Sequence, residues 1–106
     1  MFIAMNRFQV ALNAQEAFEQ RWRERESLLA QMDGFEGFRL LKGREYEDYR
    51  LYATHTQWRD ERSFAAWTGS EQFRLAHNRA RLPEGTLLGH PQFEGFTSIL
   101  EEHVAA

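Results

Sequence analysis

Residues 2–10 alternate between two faces of a strand, and both faces carry apolar side chains. Phe2, Ala4, Asn6, Phe8 and Val10 share one face. Ile3 and Met5 lie on the other, followed by Arg7 and Gln9. A strand that is apolar on both sides needs cover on both sides. A single layer of helices supplies only one of them, so this strand already asks for a second covering surface.

The rest of the chain supplies the first layer. Asn13 is placed to cap a helix over about residues 14–31, with Glu16 three positions on in the capping-box place. Phe18, Trp22, Leu29 and Met32 trace its apolar stripe, and Asp33-Gly34 ends it. Residues 35–43 and 47–57 read as two strands joined by a turn at Gly43-Arg44-Glu45. Leu40 and Leu41 are apolar candidates on the first, and Tyr49, Leu51 and Ala53 on the second. Asp60 caps a short helix that runs through Trp67 and breaks at Gly69. Ser70 caps the next helix, which stops at Leu82-Pro83-Glu84-Gly85. A loop through Gly89-His90-Pro91 leads to a last strand over 93–100, and the tail 101–106 is expected to fray.

The order is β-α-β-β-α-β with the second helix broken, the split βαβ pattern of a ferredoxin-like α+β domain. It predicts a four-stranded antiparallel sheet with helices on one face, as one domain over residues 1–106. The bare face, with Ile3, Met5 and one side of the middle strands, is expected to pack against a second copy, giving a homodimer.

Composition narrows the functional classes. The formal charge is −3 and the pI about 5.8, which argues against a nucleic-acid surface. Lys42 is the single lysine among thirteen basic residues, so local anion contacts through arginine remain open. There is no cysteine, hence no disulfide, thiolate metal site or cysteine nucleophile. The N-terminus lacks a signal-peptide pattern and no stretch approaches the roughly 18–20 apolar residues of a membrane span. The expectation is a cytoplasmic protein without membrane partners. The chain is 42% apolar and 14% aromatic, enough for a core with a lined cavity. Such a cavity is expensive in so small a domain unless a ligand or second subunit restores the lost burial.

Of the four histidines, His90 precedes a proline in a loop, His103 lies in the tail, and His55 is on a strand. None forms an i, i+4 pair. His77 differs: it shares a helix face with Phe73, Ala76 and Ala80, and the two alanines leave room beside the imidazole for a flat group. Taken alone it is most simply a core histidine bonded to a backbone carbonyl. Asn6 among Phe2, Ala4 and Phe8 needs a partner for its amide, most simply neighbouring backbone. Trp67 alone reads as core packing. The run Arg21 to Glu26 reads as a solvated helix face with i, i+3 and i, i+4 pairs, and Tyr46, Tyr49 and Tyr52 show no base arrangement.

As a set, Asn6, Trp67 and His77 resemble the triad of the IsdG-type haem-degrading monooxygenases, within the antibiotic-biosynthesis-monooxygenase superfamily. Phe73, one turn before His77, and the Gly-His-Pro-Gln-Phe-Glu-Gly-Phe lead-in to the last strand fit the same pattern. The resemblance implies a dimeric barrel made from two sheets. It implies that His77 ligates haem iron and that Asn6 and Trp67 line the distal pocket, with Phe73 in the haem-binding set. It further implies haem as substrate and cofactor, O₂, and electrons from an external reductase or small reductant. Asn6 then donates to a ligand on iron, and the bulk of Trp67 pushes the macrocycle out of plane. Arg21, Arg25, Arg74, Arg79 and Arg81 are candidates for the propionates. Two alternatives stay open: a cofactor-free oxygenase of a phenolic or quinol-like compound, and a haem carrier without activity.

Overall fold

The computed structural model describes residues 1–79 and 81–104, the side chains of residues 78 and 79 excepted. Four strands, β1 (Phe2–Ala11), β2 (Phe35–Glu45), β3 (Tyr49–Trp58) and β4 (Gln92–Thr97), form one antiparallel sheet in the order β2-β3-β1-β4. Three helices, α1 (Gln15–Glu24), α2 (Glu61–Thr68) and α3 (Glu71–Arg79), complete the ferredoxin-like α+β arrangement. None of the helices among the described residues is long and apolar enough to cross a membrane.

The alternation of β1 appears as expected. Phe2, Ala4, Phe8 and Val10 are buried, while Ile3 and Met5 are half-buried on the opposite side. Registration extends this division across the sheet. Tyr52, Thr54 and Trp58 of β3 are buried and stand opposite Phe8, Asn6 and Phe2, of which Asn6 is half-buried. Leu51 and Ala53 lie on the open face with Gln9 and Arg7, so the buried set of β3 is shifted one residue from the apolar candidates.

Two element boundaries differ from the sequence expectation. The first helix ends at Glu24, where Arg25 takes an extended backbone (φ −66°, ψ 145°). A helix continuing to 31 would put Arg25 and Glu26 where the Phe18–Trp22 stripe points. The break instead lets the chain turn and bury Leu28 and Leu29, the latter in a short 3-10 turn over Leu29–Gln31. Asn13 is not the cap: it sits inside a 3-10 turn over Leu12–Ala14, and Ala14 precedes the helix without a side-chain cap. The second difference is β4, which ends at Thr97. Ile99 and Leu100 fall beyond it and are 96% and 80% exposed.

Polar contacts seat the first two helices. On α1, Glu19 accepts hydrogen bonds from Lys42 of β2 at 2.8 Å and from the Tyr52 hydroxyl of β3 at 2.5 Å. Burial of the Phe18 side chain beside Tyr52, with ring centroids 4.8 Å apart, completes that contact. On α2, Asp60 accepts from the Ser63 backbone at 2.8 Å and from its hydroxyl at 2.7 Å, as the N-cap reading requires. Ser63 lies under Gly34, whose φ of +83° a side chain rarely adopts and where a Cβ would come within 2.2 Å of the Ser63 hydroxyl. The turn before β2 is thereby locked onto the start of α2.

The Glu19 clamp gives the stability a defined pH dependence. The bond from Lys42, and then that from Tyr52, hold the Glu19 carboxyl below its usual range. A depressed carboxylate stabilises the fold at neutral pH, and that contribution is lost as pH falls through its folded-state pKa. Burial, then Glu19, hold the Tyr52 hydroxyl above its ordinary value. The unfolded chain therefore ionises first at alkaline pH and stability declines there as well. Glu19→Gln is expected to lower Tm at pH 7 and to flatten the acid limb of a Tm-against-pH curve. Tyr52→Phe is expected to lose about 1 kcal/mol in urea unfolding. Unchanged acid limbs would show that the clamp carries none of this dependence.

Candidate functional site

The apolar side chains above the sheet fall into two clusters. One gathers Phe2, Ala4, Leu28, Leu29, Trp58 and Trp67. The other gathers Phe8, Val10, Phe18 and Tyr52. Between them lies a cavity of about 700 Å³, within the usual range for small-molecule sites. Its sheet side carries Ala4, Asn6, Phe8, Thr54 and Thr56. Its helix side carries Trp22, Arg25, Trp67, Phe73, Ala76 and His77.

Asn6 is the polar break in the apolar face of β1, opposite Thr54 on one side and Phe93 on the other. Among the described residues its amide has no hydrogen-bond partner, and it opens onto the cavity. The expected bond to neighbouring backbone is absent, which leaves both an NH₂ donor and a carbonyl acceptor to meet whatever enters.

Trp67, Phe73 and His77 form a continuous wall. The hydroxyl of Ser70, between α2 and α3, donates to the Trp67 carbonyl at 2.6 Å and accepts from the Phe73 backbone at 3.1 Å. One side chain thus closes α2 and caps α3. This corner sets Trp67 edge-on to Phe73, with centroids 5.4 Å apart at 87°. Phe73 in turn lies 4.0 Å from the His77 ring. Trp67 is buried and also packs on Trp58, so it is a core residue with one side on the cavity.

His77 is exposed at the cavity rather than buried in the core. Its Nδ1 lies 3.0 Å from the Phe73 carbonyl, which can only accept. Nδ1 is therefore the protonated nitrogen, and in the neutral ring Nε2 keeps its lone pair. A histidine whose second nitrogen is held this way has the orientation and tautomer of a metal ligand. Among the described residues no group of three or more His, Cys, Asp and Glu side chains is placed to hold a metal ion. Any metal at His77 must therefore bring most of its ligands with it.

The arginine candidates separate cleanly. Arg25 lies 4.9 Å over the Trp22 ring and 4.5 Å over Phe38, and burial lowers its pKa. No carboxylate pairs with it among the described residues. Arg21 also lines the cavity but donates to the Arg81 carbonyl. Arg74 pairs with Glu71 at 3.4 Å on the exposed side of α3, and Arg81 is exposed. The Arg79 side chain and Ala80 lie outside the described residues. The run Arg21 to Glu26 is thus only partly a solvated face, since Arg21, Trp22, Arg25 and Glu26 line the cavity. His90 and His103 are exposed, and His55 is on the open face, away from the cavity.

Sequence reasoning missed Thr54, Phe38, Phe64 and Phe93 as lining residues. Thr54 is recoverable from strand register with Asn6, whereas Phe64 and Phe93, stacked at 5.5 Å, meet only in the fold. It also missed the Tyr52 partnership with Glu19 and Lys42.

Residues 1–79 match the antibiotic biosynthesis monooxygenase family, and the chain belongs to it. Solved structures share the fold. The haem degrader MhuD of Mycobacterium tuberculosis, determined with two haems in its active site, is 21% identical, with 97% of this chain and all of MhuD covered and a TM-score of 0.74. SnoaB of Streptomyces nogalater, a cofactor-independent oxygenase, is also 21% identical, with 94% of each chain covered and a TM-score of 0.67. No curated protein sequence gives a significant match.

Replacing Trp67 by Ala is expected to cost about 3–5 kcal/mol in urea unfolding, because it empties core volume. Trp67→Phe should lose less, and Ser70→Ala about 1 kcal/mol through the shared cap. A Trp67→Ala protein as stable as wild type would mean that the indole contributes bulk only to the cavity.

Proposed function

We propose that the protein is a haem-degrading monooxygenase of the IsdG type. Haem is both substrate and cofactor, opened with O₂ and electrons from an external reductase or small reductant to release iron and a linear tetrapyrrole. The observation that carries this reading is the His77 tautomer: Nδ1 is committed to the Phe73 carbonyl and Nε2 is free at an apolar cavity.

The donor set fits such a ligand. One neutral imidazole is sufficient to hold a haem iron, because the porphyrin supplies the other four nitrogens. Apolar and aromatic walls suit the macrocycle, and Ala76, small beside His77 in the lining, suits a flat ring. Arg25, a guanidinium in the wall that pairs with no carboxylate among the described residues, suits a propionate, and Arg21 stands second to it. Bound haem supplies the oxygen activation and the redox chemistry. His77 holds and orients the ring, and Phe73 supports His77 both through its carbonyl and through its own ring. Asn6 offers an amide N–H at the cavity, where charge developing on oxygen is stabilised by a preorganised donor. Trp67, seated on Trp58 and Phe73, would present a packed indole to a macrocycle in the cavity and act on it through bulk.

We also propose that the functional unit is a homodimer whose open sheet faces meet. Ile3, Met5 and Ala53 are half-buried there and Leu41 and Phe96 are exposed, a surface that pairing would cover. Obligate interfaces of this kind commonly bury ~2,000 Å² or more.

Hemin titration with visible spectra is the test. Wild type is expected to shift the Soret band, and reductant with O₂ is expected to bleach it. His77→Ala should bind without imidazole ligation while keeping its circular dichroism. Asn6→Ala should bind hemin as wild type yet lose about 10²–10³ in single-turnover bleaching rate. A protein that leaves the hemin spectrum unchanged would be a cofactor-free oxygenase instead. One that shifts but never bleaches would be a carrier.

A further inference from the structure

The chain beyond β4 carries three apolar side chains with almost no cover. Ile99, Leu100 and Val104 are 96%, 80% and 98% exposed, although the other large hydrophobics of the fold are at least half covered or nearly so. The segment also holds Glu101, whose carboxylate lies 3.9 Å from the His103 ring, and Glu102, which is exposed. Among the described residues its backbone is tied to the domain by one bond, from the Ser98 amide to the Met1 carbonyl at 2.9 Å.

The open sheet face offers the complementary set. Register places Ile3 beside Gln57 and Phe96, Met5 beside His55 and Glu94, Ala53 beside Leu41, and His55 beside Arg39. Arg7 is already paired with Glu94 at 2.7 Å. Arg39 is exposed and has no carboxylate partner among the described residues, so it is the open cation of this face. The His55 Nδ1 is buried there without a hydrogen-bond partner. Apolar and cationic groups on the face thus stand against apolar and acidic groups on the tail. Residues 98–104, extended, span roughly 23 Å at about 3.3 Å per residue. A four-stranded sheet is crossed in roughly 14 Å at about 4.8 Å per strand gap, so the tail is long enough to reach across.

We infer that the tail, residues 98–104, of one copy lies on the edge of the open sheet face of a second copy, with Ile99 and Leu100 against its apolar side chains and Glu101 or Glu102 paired with Arg39. The tail is therefore an arm of the dimer rather than a frayed end. This rests on the paired-sheet reading above and adds to it a segment that the sheets alone would not need.

Sedimentation equilibrium over nanomolar to micromolar concentrations tests it. Because Ile99 and Leu100 are exposed within one chain, Ile99→Asp with Leu100→Asp should leave circular dichroism unchanged and weaken the dimer at least about tenfold, the effect of 1.4 kcal/mol. Arg39→Glu should weaken it as well. Combining Arg39→Glu with Glu101→Arg and Glu102→Arg should restore dimerisation toward wild type. A wild-type dimer whose affinity none of these changes alters would overturn the arm and leave the paired sheets standing. Weakening by Arg39→Glu without restoration by the reversed tail would also overturn it, since the cation would then serve the sheet contact alone. A wild-type chain that stays monomeric at micromolar concentration would sink the paired-sheet reading itself, and the arm with it.

Discussion

The helix-facing surface of β1 is interrupted at its middle by an amide, and the architecture above it follows from that interruption. Phe2 and Ala4 feed one apolar cluster and Phe8 and Val10 the other. Asn6 stands between them, and Thr54 faces it from β3. Neither can be covered by a leucine or phenylalanine without burying an unpaired polar group, which costs more than the contact returns. α1 therefore packs over one cluster and the α2–α3 pair over the other, and the gap between them is the cavity. A small domain that leaves such a gap gives up burial it can ill spare. The loss is made up by tight aromatic packing on either side, with Trp58, Tyr52 and Phe18 fully buried.

The break of the first helix belongs to the same constraint. Continuing α1 past Glu24 would have carried Arg25 and Glu26 toward the core. By turning extended at Arg25, the chain sends Leu28 and Leu29 into the first cluster and leaves the Arg25 guanidinium in the cavity wall, stacked on Trp22 and Phe38. The stacking replaces part of the hydration that burial removes, and the lowered pKa records the remaining desolvation. A cation kept there with no carboxylate partner among the described residues is costly to desolvate.

What could be read from residues alone divides along physical lines. The period of two in β1 was legible because a strand's faces are fixed by its own backbone. Asp60 and Ser70 were legible because a cap acts within three residues. Asn6, Trp67, Phe73 and His77 were found as a set by resemblance, and the cavity brings all four together. The end of α1 was not legible, since the spacing of Phe18, Trp22 and Leu29 suits a helix and only the sheet below decides otherwise. Nor was the Glu19–Lys42–Tyr52 clamp, whose members lie 23 and 33 residues from Glu19 and meet by strand register. The limit of β4 was misplaced because Ile99 and Leu100 have strand-like character but no neighbouring strand in the same chain to pair with.

The corner at Ser70 shows how local chemistry reaches the site. Its hydroxyl makes two bonds that fix the angle between α2 and α3, and with it the T-shaped contact of Trp67 and Phe73. Phe73 then holds His77 twice, by carbonyl and by ring. The chain of constraint runs from Gly34 and Ser63, which seat α2, through Trp67 and Ser70 to the imidazole. Ser63 and Trp67 are buried and Gly34, Ser70 and Phe73 are half-buried, so the orientation of His77 is held by contacts within the fold. An exposed histidine is thus held in one orientation by the helix that carries it.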